Sequence, residues 1–142
     1  MSFNPEEFMQ TTTEEATSTE YVPIPEGEYN AVIDKVDGRE TQNGSPVMDV
    51  TWKLDAPDNE DAHEKSVRQS IFLDLSEGGA LLTGKGQNVQ LGRLRAALGQ
   101  NTPGQAWAPS MLQGNVAVVT VKHRMGDEGQ IYNDVKHVAA LS

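Results

Sequence analysis

The stretch Asn88-Val89-Gln90-Leu91-Gly92-Arg93-Leu94-Arg95-Ala96-Ala97-Leu98-Gly99 decides the fold. Val89, Leu91, Leu94, Ala97 and Leu98 recur at helical spacing, Arg93 and Arg95 fall outside that stripe, and Gly99 supplies a stop. This predicts a helix over residues 88–98, and the rest of the folded part is assigned by the period-2 signal of strands. Toward the N-terminus, residues 78–87 form a glycine-rich linker. Before it, residues 66–75 alternate: Val67, Ile71 and Leu73 face one way with Gln69 between them, while Arg68, Ser70 and Phe72 face the other. An acidic loop over 56–64 separates this strand from residues 47–54. There Met48, Val50, Trp52 and Leu54 make an apolar row, with Val47, Asp49, Thr51 and Lys53 opposite. The apolar row assigns Trp52 to the core. The Asn43-Gly44 turn, whose glycine accepts the positive φ of a tight hairpin, joins that strand to one over 28–36. This first strand has apolar groups on both faces, which suits a long curved strand whose halves face different neighbours.

On the C-terminal side of the helix, residues 102–109 read as loop, with Trp107 pinning it, and residues 110–112 as one turn. A β-branched strand over 116–123, a glycine-bearing hairpin loop over 124–130 and a closing strand over 131–138 complete the chain. The order is β-β-β-α-β-β. This is the connectivity of an all-β class, the five-stranded OB-fold Greek-key barrel with its helix between strands three and four, whose second and third strands form the usual oligonucleotide face.

The 142 residues fit one domain, residues 23–142, preceded by an arm over 1–22. The arm is Glu/Thr/Ser-rich and too poor in large apolar side chains to offset its conformational entropy, which predicts a disordered, mobile acidic segment with a helical turn near residues 5–10. The absence of cysteine excludes disulfide frameworks, zinc ribbons and thiol nucleophiles. No apolar run reaches the roughly 18 to 20 residues of a membrane span, and residues 1–10 lack a basic apolar leader, so a soluble cytoplasmic protein is expected. The net charge of −10 argues against nucleic acid until its distribution is read. Residues 1–28 hold seven acids and no base, and residues 55–64 hold five acids and no base. Residues 65–136 hold eight bases against five acids. The acidity is segregated, leaving a mildly basic surface available to the folded part.

Chemistry finds little support. Residues 79–86 have the spacing of a phosphate-binding P-loop through Lys85, but Gly86 stands where the magnesium-binding hydroxyl belongs and no βαβ unit surrounds it. His123, Asp127, Asp134 and His137 match no metal-ligand pattern, and no serine sits in a nucleophile elbow. No enzyme, metal or cofactor is expected. Binding has more to offer: Phe72 and Arg68 on the third strand, Lys53 on the second, and Tyr132 with Lys136 on one face of the last mix aromatic rings with cations. Such a surface stacks bases and neutralises phosphates, or alternatively covers core edges with solubilising charge around it.

The pieces Pro25-Glu26-Gly27-Glu28-Tyr29, Asn43-Gly44, Val50-Thr51-Trp52-Lys53-Leu54, Leu112-Gln113-Gly114-Asn115-Val116, Val121-Lys122-His123-Arg124 and Ile131-Tyr132-Asn133-Asp134-Val135-Lys136 stand in an order that resembles a bacteriophage family. The family is that of OB-fold single-stranded DNA-binding proteins, and the resemblance spans residues 24–138. It implies coating of single strands during phage DNA replication or recombination, in the host cell cytoplasm. On that reading Phe72 and Tyr132 stack bases, Lys53, Arg68, Lys122, Arg124 and Lys136 contact phosphates, and Lys35, Arg39 and Lys85 are rim contacts. The acids from Glu6 to Glu20 then serve as a handle for a replication or recombination protein, or as a mimic of phosphate over the basic surface. The alternative is a protein-interaction or accessory virion module built on the same barrel. The sequence leaves homo-oligomerisation open.

Overall fold

A computed structural model, which describes residues 3–17 and 22–141, folds the chain as α1 (Pro5–Phe8), β1 (Gly27–Glu40), β2 (Pro46–Asp55), β3 (Ser66–Phe72), α2 (Val89–Ala97), β4 (Val116–Met125) and β5 (Ile131–Ala139). The five strands form one antiparallel sheet in the order β3-β2-β1-β4-β5. β1 is the hinge of this sheet. Its residues 30–40 pair with β2 and its residues 27–32 with β4, so only Asn30, Ala31 and Val32 have partners on both sides. A register shift between Ile33 and Lys35 adds local twist where the β4 pairing ends. The sheet coils accordingly, and its two edge strands, β3 and β5, approach within 8 Å, Cα to Cα. β1 outruns its apolar pattern because Asp37 and Arg39 stay in register with Asp49 and Val47, held by the ladder rather than by alternation.

The apolar rows turn inward together. Trp52, Val50 and Leu54 from β2 meet Ile33, Ile71, Val119 and Val121 from the flanking strands, and Leu91 and Leu94 of α2 close over them with Leu112. Trp52 is 0% exposed, and its indole N–H donates to Gln69 Oε1 at 2.9 Å. Gln69, the one polar residue on the inner row of β3, is therefore the partner that lets a tryptophan be buried whole.

The glycine-rich segment before α2 is clasped at its base. Asn88 sits in the left-handed region at φ 51°, its N–H donates to Asp74 Oδ2 at 2.8 Å, and its amide group donates to the carbonyls of Asp74 and Leu82, each at 2.8 Å. The Asp74 N–H returns a bond to Asn88 Oδ1 at 2.7 Å. α2 ends as its sequence predicts, at Gly99 with φ 71°. Beyond it, Trp107 donates to Gln100 Oε1 at 2.9 Å under the Arg95 guanidinium, 4.3 Å from the ring, which pins that loop. The acidic loop folds back so that Ala62 enters the core while Asp55, Asp58, Glu60, Asp61 and Glu64 stay exposed.

At the N-terminus, the Asn4 side chain accepts from the Glu6 and Glu7 amides and starts α1, and Phe3 meets Phe8 edge-on at 5.5 Å. Residues 3–17 are exposed throughout; Glu20 lies outside the described residues. The domain proper begins at buried Ile24. Its N–H donates to Asn133 Oδ1 at 3.1 Å, and its carbonyl meets His123 Nε2 at 2.7 Å.

Candidate nucleic-acid interface

The pairings fix the direction of the edge strands. β3 and β5 each lie two antiparallel steps from β1, on opposite sides of it, so the two run the same way. Between them opens a cleft of about 460 Å³, walled by Arg68, Gln69 and Ser70 of β3, by residues 134–138 of β5, and by Gln90, Arg93 and Leu94 of α2. Three cations, Arg68, Arg93 and Lys136, converge on it from three separate elements. Its one acid, Asp134, accepts from Arg124 Nε at 2.9 Å. Polar Gln69, Ser70, Gln90 and His137 complete the wall, leaving a cationic slot with hydrogen-bonding groups and little apolar lining.

The predicted binding residues divide into four groups. Arg68 and Lys136 line the cleft. Lys136 sits at an irregularity: the β4–β5 register shifts after Thr120, which pairs with His137, so that Val121 pairs with Val135 and Lys136 is the extra residue of a bulge.

Phe72 and Tyr132 are exposed, at 60% and 43%, and neither lines the cleft. Because β3 and β5 are parallel, Phe72, beyond Ser70, and Tyr132, before Asp134, lie past its opposite ends. Phe72 stands beside Val47 in the ladder. Tyr132 carries the Arg124 guanidinium 4.9 Å from its ring centre, donates its hydroxyl to Gln130 at 2.5 Å, and packs close against Gly126. Arg124 is thus bound to both Asp134 and Tyr132.

Lys35 pairs with Asp37 at 3.3 Å, and Arg39 Nε with Asp49 at 2.6 Å. Asp49 is only 7% exposed and also accepts from Ser70 Oγ at 2.7 Å. Burial opposes its charge, but the bonds from Arg39 and Ser70 and the nearby Arg39 and Arg68 charges prevail and hold its carboxyl below the usual range. Arg39 is thus a structural counter-ion.

Lys53, Lys122 and Lys85 lie elsewhere. Lys53 sits on the far side of the β2–β3 hairpin in a second hollow of about 350 Å³, among Val32, Val116, Leu141, His63 and the exposed carboxylates of Asp55 and Glu64. Lys122 is opposite Asp134 in the ladder, beside Glu26. The Glu26 carboxylate accepts the His123 N–H at 2.7 Å, a bond that holds its pKa down with help from Lys122 and His123. Lys85 stands exposed in the clasped loop.

Arg93 is the residue the helical stripe conceals. It is exposed and one place from buried Leu94, and it shares a face with Gln90 three residues earlier. That polar pair beside the apolar stripe was the available signal, but only the position of α2 over the sheet edges gives it meaning. Among the described residues no three His, Asp or Glu side chains converge as a metal site would require, and no helix is long and apolar enough to cross a membrane. No protein-family model matches this chain, and no curated protein is found similar to it.

Proposed function

We propose that this protein binds single-stranded DNA without strong sequence preference, through an OB-fold barrel and without catalysis, in phage DNA replication or recombination. The OB reading is supported by β1 shared between β2 and β4, by the helix placed between the third and fourth strands, and by β3 and β5 facing each other across a cleft. The observation that carries the function is the convergence of Arg68, Arg93 and Lys136 on that cleft in a chain of net charge −10. Three cations drawn from β3, α2 and β5 make a track for a phosphate backbone, and the exposed rings of Phe72 and Tyr132 at its two ends offer stacking platforms. Arg124 orients Tyr132, Lys122 and Lys85 are outlying cations, Lys53 is flanked by Asp55 and Glu64, and Lys35 and Arg39 are largely spent on Asp37 and Asp49.

Titration of a fluorescein-labelled unstructured oligonucleotide, followed by anisotropy, tests the proposal. Saturable binding that weakens with salt is the expected result, and no binding at low salt overturns it. A second reading, a protein-interaction or accessory virion module, is favoured by the hollow around Val32, exposed Val116 and exposed Leu141, where acids flank Lys53. It becomes the better reading if the oligonucleotide does not bind.

A further inference from the structure

The cationic cleft and the acidic N-terminal segment are tied together at one point. The chain enters the domain at Ile24, held by Asn133 on one side and by His123 on the other. Asn133 is the residue before Asp134, the first β5 residue lining the cleft. The acidic segment is thus tethered at the end of the cleft's β5 wall. Its described residues 3–17 contain Glu6, Glu7, Glu14 and Glu15, no base, and the exposed aromatic pair Phe3 and Phe8. All of them are exposed, and among the described residues their hydrogen bonds stay within the segment.

We infer that this segment is an intramolecular ligand of the cleft, its carboxylates meeting Arg68, Arg93 and Lys136 in a docked form that exchanges with the exposed one. Reach is sufficient: the nine residues from Glu15 to Ile24 extend to about 30 Å, and the seventeen from Glu7 to roughly twice that. Spans of that length keep the acids near the cleft at an effective concentration on the order of millimolar. Charge favours the match, since the cleft's sole acid is already engaged by Arg124 and its three cations have no ion-pair partner among the described residues. The aromatic pair Phe3 and Phe8 gives the segment the composition of the cleft's proposed ligand, negative charge interleaved with flat rings. That docking excludes DNA rests on the proposed function; docking itself does not.

Two measurements on the full-length chain separate these parts. Zero-length carbodiimide coupling joins a carboxylate to a lysine amine only when they touch. Peptide mapping should find Lys136 coupled to Glu6, Glu7, Glu14 or Glu15 at about 0.01 M salt, with the product fading as the Debye length contracts from about 30 Å to 10 Å at 0.1 M. No such product, or equal coupling to remote Lys35 and Lys85, overturns the docking. The variant with Glu6→Gln, Glu7→Gln, Glu14→Gln and Glu15→Gln should bind a labelled oligonucleotide about fivefold more tightly than the parent at low salt, the two converging at higher salt. Equal affinities at every salt overturn the competition. If Lys136 couples to the segment but neither form binds the oligonucleotide, the docking stands and the proposed function falls. If both forms bind equally and no coupling occurs, the function stands and the docking falls.

Discussion

Two aromatic residues five steps of the ladder apart stand in opposite surroundings. Trp52 is wholly buried with its N–H satisfied by Gln69, whereas Phe72 is 60% exposed at the end of β3. Trp52→Ala should therefore destabilise the fold by about 3 to 5 kcal/mol, both by the emptied volume and by leaving Gln69 without its donor. Phe72→Ala should leave the melting temperature nearly unchanged and weaken oligonucleotide binding by the roughly 1 to 3 kcal/mol of one base stack. Paired thermal melts and titrations check both; a Phe72→Ala protein that melts like Trp52→Ala with unchanged affinity would reverse the assignment of sheet faces. Asp49 belongs to the same scale. Its pKa is lower folded than unfolded, so the stability it contributes is complete above the ordinary carboxylate pKa of about 4 and is lost as pH falls through the depressed folded value. Asp49→Asn removes that dependence while keeping the shape. Its urea midpoint should sit below the parent's at neutral pH, and the gap should narrow on acidification below about pH 4.

At the scale of elements, the loop between β3 and α2 depends on one clasp. Asn88 makes three hydrogen bonds with Asp74, and its left-handed backbone suits Asn better than Ala. Asn88→Ala should cost about 1 to 3 kcal/mol and, more diagnostically, open the segment to trypsin at exposed Lys85. Parent and variant digested side by side provide the check, and unchanged cleavage at Lys85 would mean that the loop is held elsewhere. The clasp also marks what the sequence could and could not disclose. Alternating rows such as Met48, Val50, Trp52 and Leu54 announce their strand because burial on one face selects every second residue, and the stripe ending at Gly99 announces α2 in the same way. The pairing of Asp74 with Asn88 spans fourteen residues and has no period, so the segment reads as a linker. Residues 37–40 of β1 are polar and invisible to alternation; only the partner strand makes them part of the sheet. The bulge at Lys136 and the placement of Arg93 are likewise tertiary facts. The fold was therefore more legible than the site, because the cleft is made where the two edges of a coiled sheet meet a helix, and no local pattern encodes that meeting.

For the whole molecule, the proposal turns on how a net charge of −10 can coexist with a cleft that takes a polyanion. Distance and screening resolve it. Asp55 and Glu64 of the acidic loop line the Lys53 hollow at the β2–β3 hairpin, while the cleft opens between β3, α2 and β5 with Asp134 already paired to Arg124. At ionic strengths near 0.1 M the Debye length is about 10 Å, so a phosphate in the cleft responds mainly to its walls, whereas near 0.01 M it feels the whole anionic surface. Three wall cations predict a slope of log K against log salt near −2 for single strands, at about −0.7 per phosphate neutralised. Arg93→Ala should flatten that slope by about 0.7 and weaken binding at every salt, and Lys136→Ala should do the same. Lys35→Ala should leave the slope unchanged, because Lys35 stands outside the cleft beside Asp37. At the lowest salt the curve should bend below its line, since net repulsion then reaches the incoming strand, an effect opposite to what a uniformly basic binder shows. A series of titrations from about 0.01 M to 0.2 M salt reads slope and curvature together. If Lys35→Ala and Arg93→Ala change the slope equally, phosphate is bound by diffuse charge over the sheet and the cleft has no special part in it.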